Sequence, residues 1–315
     1  MRAAILNKTP GNPAPENAET GFFETYDGKR IRYAIFRPAA ETADGTVVLL
    51  QGRNETIEKY YETIRDLTET GLWVATFDWR GQGGSDRLLN DPRRGYVRRF
   101  SDYERDLERF LDALVLPDAR PPFYLIGHST GGLIALSAAP RLTNRIERMA
   151  LTSPFIGLMH DRFGQPAIRI ASTIACLIGL GRLDPSGSRR ANLTFADNVL
   201  TSDPVRLQRN LAIYDVCPQF ILGGPTLRWL AEGLGTIARV HRPDHLASIR
   251  IPTLLLGASA DRIVPHHLLE ELDSQFPASG LITIDYAEHE LLQEADIYRN
   301  QVMAAIKAFI PGNRP

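Results

Sequence analysis

The stretch YLIGHSTGGLIAL, residues 124–136, runs apolar into a glycine, turns around a serine and resumes apolar. Ser129 has Gly127 two positions before it, and Gly131 and Gly132 two and three after. A G-x-S-x-G string is short enough to arise by chance, and an ordinary strand-to-helix connection can contain a serine. The context is more telling. Residues 123–126 predict a buried strand and the run from Thr130 predicts a helix. A serine on such a turn has its hydroxyl pushed out beyond the sheet, and small neighbours keep Cβ atoms from colliding there.

Outward from this turn, short apolar runs alternate with helical patterns. Residues 46–50, 73–77, 123–126, 149–151, 253–256 and 281–284 predict parallel strands. They are apolar on both faces, as strands are when helices cover both sides of a sheet. Residues 22–26 and 31–36, joined through Asp27-Gly28, predict an antiparallel hairpin ahead of them. Ser101 and Glu104 form a capping-box pattern, and Tyr103, Leu107, Phe110, Leu111 and Leu114 recur at helical spacing. The sum is an α/β fold with a mostly parallel central sheet and helices on both faces.

Between residues 154 and 245 the alternation stops. The pattern there is helical and broken by prolines, with Leu227, Leu230, Leu234 and Ile237 on one helix face. The expected organisation is a mobile N-terminal arm over 1–21, a core built from 22–153 and 246–315, and a helical cap insertion over 154–245.

Composition narrows the function. Lys+Arg of 36 against Asp+Glu of 37 gives no net field to draw in nucleic acid. Cys176 and Cys217 stand without a C-x-x-C pairing, which argues against a disulfide framework or zinc site and agrees with a cytoplasmic location. The run Ala3-Ala4-Ile5-Leu6 is too short for the core of a signal peptide. The most membrane-like segment, IASTIACLIGL at 170–180, is too short to span a bilayer and is bounded by Arg169 and Arg182.

A serine hydroxyl needs a histidine to take its proton and a carboxylate to orient that histidine. On an α/β sheet of this kind the order along the chain is serine, acid, histidine, each at the carboxyl end of a strand. Asp261 follows strand 253–256 in GASADRIVP, and His289 follows strand 281–284 in DYAEHELLQE. Asp285 ends the same strand as His289, and Asp273 sits in a helix. His241 and His245 are separated by Pro243, so they cannot form a helical metal pair. His266 and His267 read as a solvated helix face, His160 lies in the insertion, and His128 packs the turn. An oxyanion also needs two backbone N–H donors. Thr130 supplies the one after the serine, and Arg53, in the loop QGRNETIEKYY behind strand 46–50, supplies the other. The string FDWRGQGGSD at 77–86 has no helix-opening third glycine at the offset a dinucleotide loop needs and reads as a tight turn at the sheet rim.

These residues resemble a known group. QGRNETIEKYYE, FDWRGQGGSDR, the F-x-D-Y-x-x-D-L string at 100–107, GHSTGG, SPFIGL, LGASADRIVP and EHELLQE are similar to α/β-hydrolases of the monoacylglycerol lipase and bacterial lysophospholipase group, also classed with serine aminopeptidases. The resemblance covers nearly the whole chain after residue 22. It implies Ser129 as nucleophile, Asp261 and His289 as its partners, the Arg53 and Thr130 amides as oxyanion donors, and a cap at 154–245 over an acyl pocket. Many relatives carry His-Gly where this chain has Gln51-Gly52, while GR-x-E-x-x-x-KY is similar to the lysophospholipase branch.

The expected activity is hydrolysis of a small, lipid-derived carboxylic ester, with no metal or cofactor. Another small ester, a lactone or a peptide N-terminus remains an alternative substrate, and a non-catalytic binding protein an alternative class. Segment 170–180 has three readings: lining of an acyl tunnel, peripheral contact with a membrane, or a buried helix. Arg93, Arg94, Arg98 and Arg99 read as a solvated cluster. Oligomeric state is left open.

Overall fold

The computed structural model describes residues 5–39, 43–158, 164–185 and 198–310. Its strands are β1 Ala18–Glu24, β2 Arg30–Phe36, β3 Gly45–Leu50, β4 Leu72–Phe77, β5 Phe123–His128, β6 Arg148–Thr152, β7 Thr253–Ala258 and β8 Ser279–Ile284. They form one sheet in the order β1-β2-β4-β3-β5-β6-β7-β8. β2 runs antiparallel to β1 and β4, and β3 to β8 are mutually parallel.

Side chains alternate across a strand, and here both sides are covered. Val48, Leu50, Leu125 and Leu151 face one core, while Val47, Leu49, Tyr124 and Ile126 face the other. The helices are α1 Tyr61–Thr68, α2 Phe100–Phe110, α3 Leu116–Asp118, α4 Thr130–Leu142, α5 Gln165–Leu177, α6 Pro204–Val216, α7 Leu227–Val240, α8 Pro243–Ser248, α9 His266–Gln275 and α10 Asp296–Phe309. Leu133 and Leu136 of α4, with Leu107 of α2, pack on the first core; Ile64 of α1 and Val302 and Ile306 of α10 pack on the second.

Two local expectations change, and one open reading narrows. The start of α2 is capped two residues before Ser101 and Glu104: Asp102 Oδ2 accepts the Arg99 N–H at 3.2 Å. Glu104 is buried instead, and accepts hydrogen bonds from Arg141 and Arg239 at 2.6 Å each. The N-terminal arm is docked from residue 5 onward. Asn12 is fully buried and donates to the Glu58 carbonyl at 2.8 Å, Asn7 Nδ2 donates to Glu58 Oε1 at 2.8 Å, and β1 begins inside the arm at Ala18. Its polar composition reads as loose because the partners that satisfy it lie far along the chain.

Of the three readings of segment 170–180, the buried helix falls at α5. Ser172 is its buried residue, and Ile170, Ile174, Leu177 and Ile178 turn outward, Leu177 being 81% and Ile178 68% exposed. α7 lies beneath, with Trp229, Leu234, Ile237 and Val240 buried on the first core. Thr226 Oγ1 caps it by accepting the Trp229 N–H at 3.3 Å, and Thr226 N donates to the Gly95 carbonyl at 2.9 Å. Trp229 is wedged between Phe100 and Phe155, its ring centroid 5.2 and 5.8 Å from theirs.

Candidate active site

Ser129 stands between β5 and α4 with φ 49° and ψ −115°, a conformation that L-residues avoid unless the surroundings hold it. Its N–H donates to the Thr152 carbonyl at 3.1 Å, and its carbonyl accepts from Leu133 and Phe155 at 3.1 and 2.9 Å. The glycines permit close approach. A Cβ on Gly131 would sit 2.5 Å from the Leu50 carbonyl oxygen and 2.6 Å from that of Gln51. The first turn of α4 is therefore pressed against the end of β3, beside the loop that carries Arg53.

His289, in the loop after β8, brings Nε2 to 3.0 Å from Ser129 Oγ and Nδ1 to 2.7 Å from Asp261 Oδ2. With the proton on Nδ1 donated to the carboxylate, Nε2 is free to accept from the serine hydroxyl. Asp261, after β7, uses its other oxygen to accept the Ile263 and Val264 N–H groups at 2.7 and 2.9 Å. Burial pushes this carboxyl up. The hydrogen bond and charge of His289, with the two backbone donors, outweigh burial and hold it below the usual carboxylate value. Ser129, Asp261 and His289 are all buried.

The other candidates lie elsewhere. His241 Nε2 bonds the Ile156 carbonyl and His245 Nε2 the Leu136 carbonyl, each at 3.0 Å, so both tie helices to the core. His266 is half-buried, with Nε2 3.0 Å from Thr283 Oγ1, and His267 is exposed. His160 lies outside the described residues. His128 packs behind the serine with Nδ1 3.1 Å from Thr152 Oγ1, and burial pulls its pKa down to about 4, against the field of Glu55. It is a neutral neighbour at pH 7.

A cavity of about 250 Å³ opens over Ser129 and His289. Gly52, Arg53 and Thr130 line it on one side, and Phe155, Leu158, Trp229, Leu230 and Ile263 make the apolar side. Thr130 is the first residue of α4, so its N–H has no acceptor within the helix and lies at the positive end of the helix dipole.

Beneath the Arg53 loop lies a buried charge network that patterning does not disclose. Glu55 Oε2 accepts from the Gly52 N–H and from Tyr60 OH, the latter at 2.6 Å. Lys59 Nζ bridges Glu55 and Glu290 at 2.7 and 2.5 Å. Burial pushes the Glu55 carboxyl up, but Lys59 and then His128 and the hydrogen bonds pull it down further, to about 2. Glu290 stays above its ordinary value, burial outweighing Lys59. Glu55 and Lys59 stand four apart and show locally as a pair. Glu290, next to His289, joins them only through the fold. Gln82, in the glycine-rich turn 81–84, completes the clamp by donating to the carbonyls of Gly52 and Glu55 at 3.0 and 3.2 Å.

A mostly parallel sheet, a serine on the turn between β5 and α4, and a histidine and an aspartate from later strand ends define an α/β-hydrolase. Residues 41–296 match the family described as "Serine aminopeptidase, S33", and the chain belongs to it. It is 34% identical to Lysophospholipase L2 of Escherichia coli K12 over 304 residues, covering 91% of this chain and 86% of that protein. Identity to the human Monoglyceride lipase is 27%, over 90% and 88% of the two chains. A soluble variant of the Saccharomyces cerevisiae Monoglyceride lipase, solved with a substrate analog, superposes with a TM-score of 0.73 at 22% identity over 93% and 96%, a likeness of fold.

Proposed function

We propose that this chain hydrolyses carboxylic esters of lipid-derived alcohols, of the lysophospholipid or monoacylglycerol kind, through an acyl-enzyme on Ser129. The observation that carries the reading is the Asp261–His289–Ser129 chain of hydrogen bonds opening onto an apolar cavity. His289 Nε2 takes the Ser129 proton as Oγ bonds to the ester carbonyl carbon. The oxyanion accepts the Arg53 and Thr130 N–H groups. Collapse expels the alkoxide, which receives the proton from His289. Water then repeats the sequence on the acyl-enzyme and releases the fatty acid.

The test is a panel of p-nitrophenyl esters of increasing chain length set against aminoacyl amides. Ester cleavage is expected to dominate and kcat/KM to rise with chain length as the acyl group fills the apolar side of the cavity. Faster cleavage of the amides sinks the ester reading.

The outward face of α5 supports a contact with the membrane that holds such substrates. Ile170, Ile174, Leu177 and Ile178 form an exposed apolar stripe on or beside α5, near Arg169 and Arg182. The stripe does not line the cavity over Ser129. Among the described residues no helix is long and apolar enough to cross a membrane, so the contact is peripheral. Combining Leu177→Asp with Ile178→Asp is expected to cut co-sedimentation with anionic vesicles by about tenfold or more, from the burial worth of two such side chains. Equal sedimentation of the variant counts against any contact through this face.

A further inference from the structure

Buried arginines in this chain are met by carboxylates. Arg32 pairs with Glu58 and Asp78, Arg80 with Asp106 and Asp27, Arg206 with Glu62, and Arg299 with Asp66. Arg53 departs from this. Half-buried rather than buried, it lines the cavity over Ser129 and forms no ion pair among the described residues. It donates through Nη2 to the Gly223 carbonyl and lies over the Trp229 ring, 5.4 Å from the centroid. Its Nε is sealed from solvent without a partner. Arg87, also without an ion pair, spends both terminal nitrogens on the Gly81 and Gln219 carbonyls.

Burial lowers the Arg53 pKa, to about 10, against the more distant fields of Tyr103, Asp184 and Tyr214; the group stays charged at neutral pH. The acids that share the cavity do not neutralise it, because Glu55 and Glu290 are both engaged by Lys59. A cation without a carboxylate partner, on the cavity beside a reactive serine, is a site for an anion, and phosphate oxygens accept hydrogen bonds from a guanidinium.

We infer that Arg53 recognises the phosphate of a glycerophospholipid headgroup, so that the cavity selects lysophospholipids over neutral monoacylglycerols. This rests on the ester-hydrolase reading above and names its substrate class. One residue then serves both ends of the substrate. In this reading its backbone N–H serves the oxyanion, and its side chain, on the same cavity as Ser129, serves the phosphate of the glycerol.

The test compares lysophosphatidate with monoacylglycerol of the same acyl chain on the unaltered protein, Arg53→Met and Arg53→Lys. The ratio of the two kcat/KM values is expected to fall about 10- to 100-fold in Arg53→Met, the loss typical of a hydrogen bond to a charged group, with Arg53→Lys between. Glycerol phosphate is expected to inhibit the unaltered protein competitively, and glycerol not to. A substrate ratio unmoved by Arg53→Met overturns the assignment, as does indifference to glycerol phosphate. Equal inhibition by inorganic phosphate gives the site to the free anion and overturns the headgroup reading. Labelling of Ser129 by a fluorophosphonate reports the hydrolase reading separately, so the two cannot fail unnoticed together.

Discussion

Ser129→Ala is expected to lower kcat on p-nitrophenyl esters by about 10⁵-fold or more, with KM little changed and the fold intact. The Ser129 hydroxyl has one side-chain partner, His289 Nε2, so its removal leaves no other buried group unsatisfied. Residues that act as one unit lose their effect together: removing either the serine or the histidine of such a unit costs about as much as removing the whole. The double variant Ser129→Ala with His289→Ala is accordingly expected to be no slower than either single one. Multiplying losses, or a single variant that keeps a tenth of the activity, would show that the two do not act in one proton path.

Asp261→Asn is expected to cost about 10⁴-fold, although the side chain keeps its size. Asp261 Oδ2 accepts a hydrogen bond from His289 Nδ1–H at 2.7 Å, while Oδ1 accepts two backbone N–H groups. An amide can keep the backbone donors on its oxygen only by turning its NH₂ toward His289. That moves the imidazole proton to Nε2, where it faces Ser129 and can accept nothing. The same change alters acid stability. The folded-state pKa of Asp261 is lowered, so its contribution is fully present above the ordinary carboxylate pKa of about 3.9 and is lost as pH falls through the lower folded value. Thermal melts between neutral pH and about pH 3 are expected to fall less steeply for Asp261→Asn than for the unaltered chain. Equal slopes would mean that another carboxylate governs the acid limb.

Most strands were legible because a strand buried on both faces is written as an unbroken apolar run; the run at 281–284 also forms a strand, but as the edge strand β8 it is largely exposed, with Ile284 buried. Their ends extend beyond those runs, into Gly45, His128 and Ala258, where side-chain character carries no signal. The order of Ser129, Asp261 and His289 along the chain was legible for a related reason, since each follows a recognisable strand. Orientation was not. The apolar segment 170–180 reads as hydrophobic whether it faces a core or solvent, and only the packing of α5 on α7 decides between them. The docked N-terminal arm and the Glu55–Lys59–Glu290 network escaped because they rest on partners far apart in sequence, such as Asn12 with Glu58 and Lys59 with Glu290.

Trp229 is held from both sides by Phe100 and Phe155, on a helix capped by Thr226 and tied to the Gly95 loop. That arrangement bears on what binding costs. Ordering a large side chain at a binding surface typically forfeits about 0.5–1.5 kcal/mol of affinity. Here the indole is already fixed, so an entering acyl chain gives up its own conformational entropy and little of the protein's.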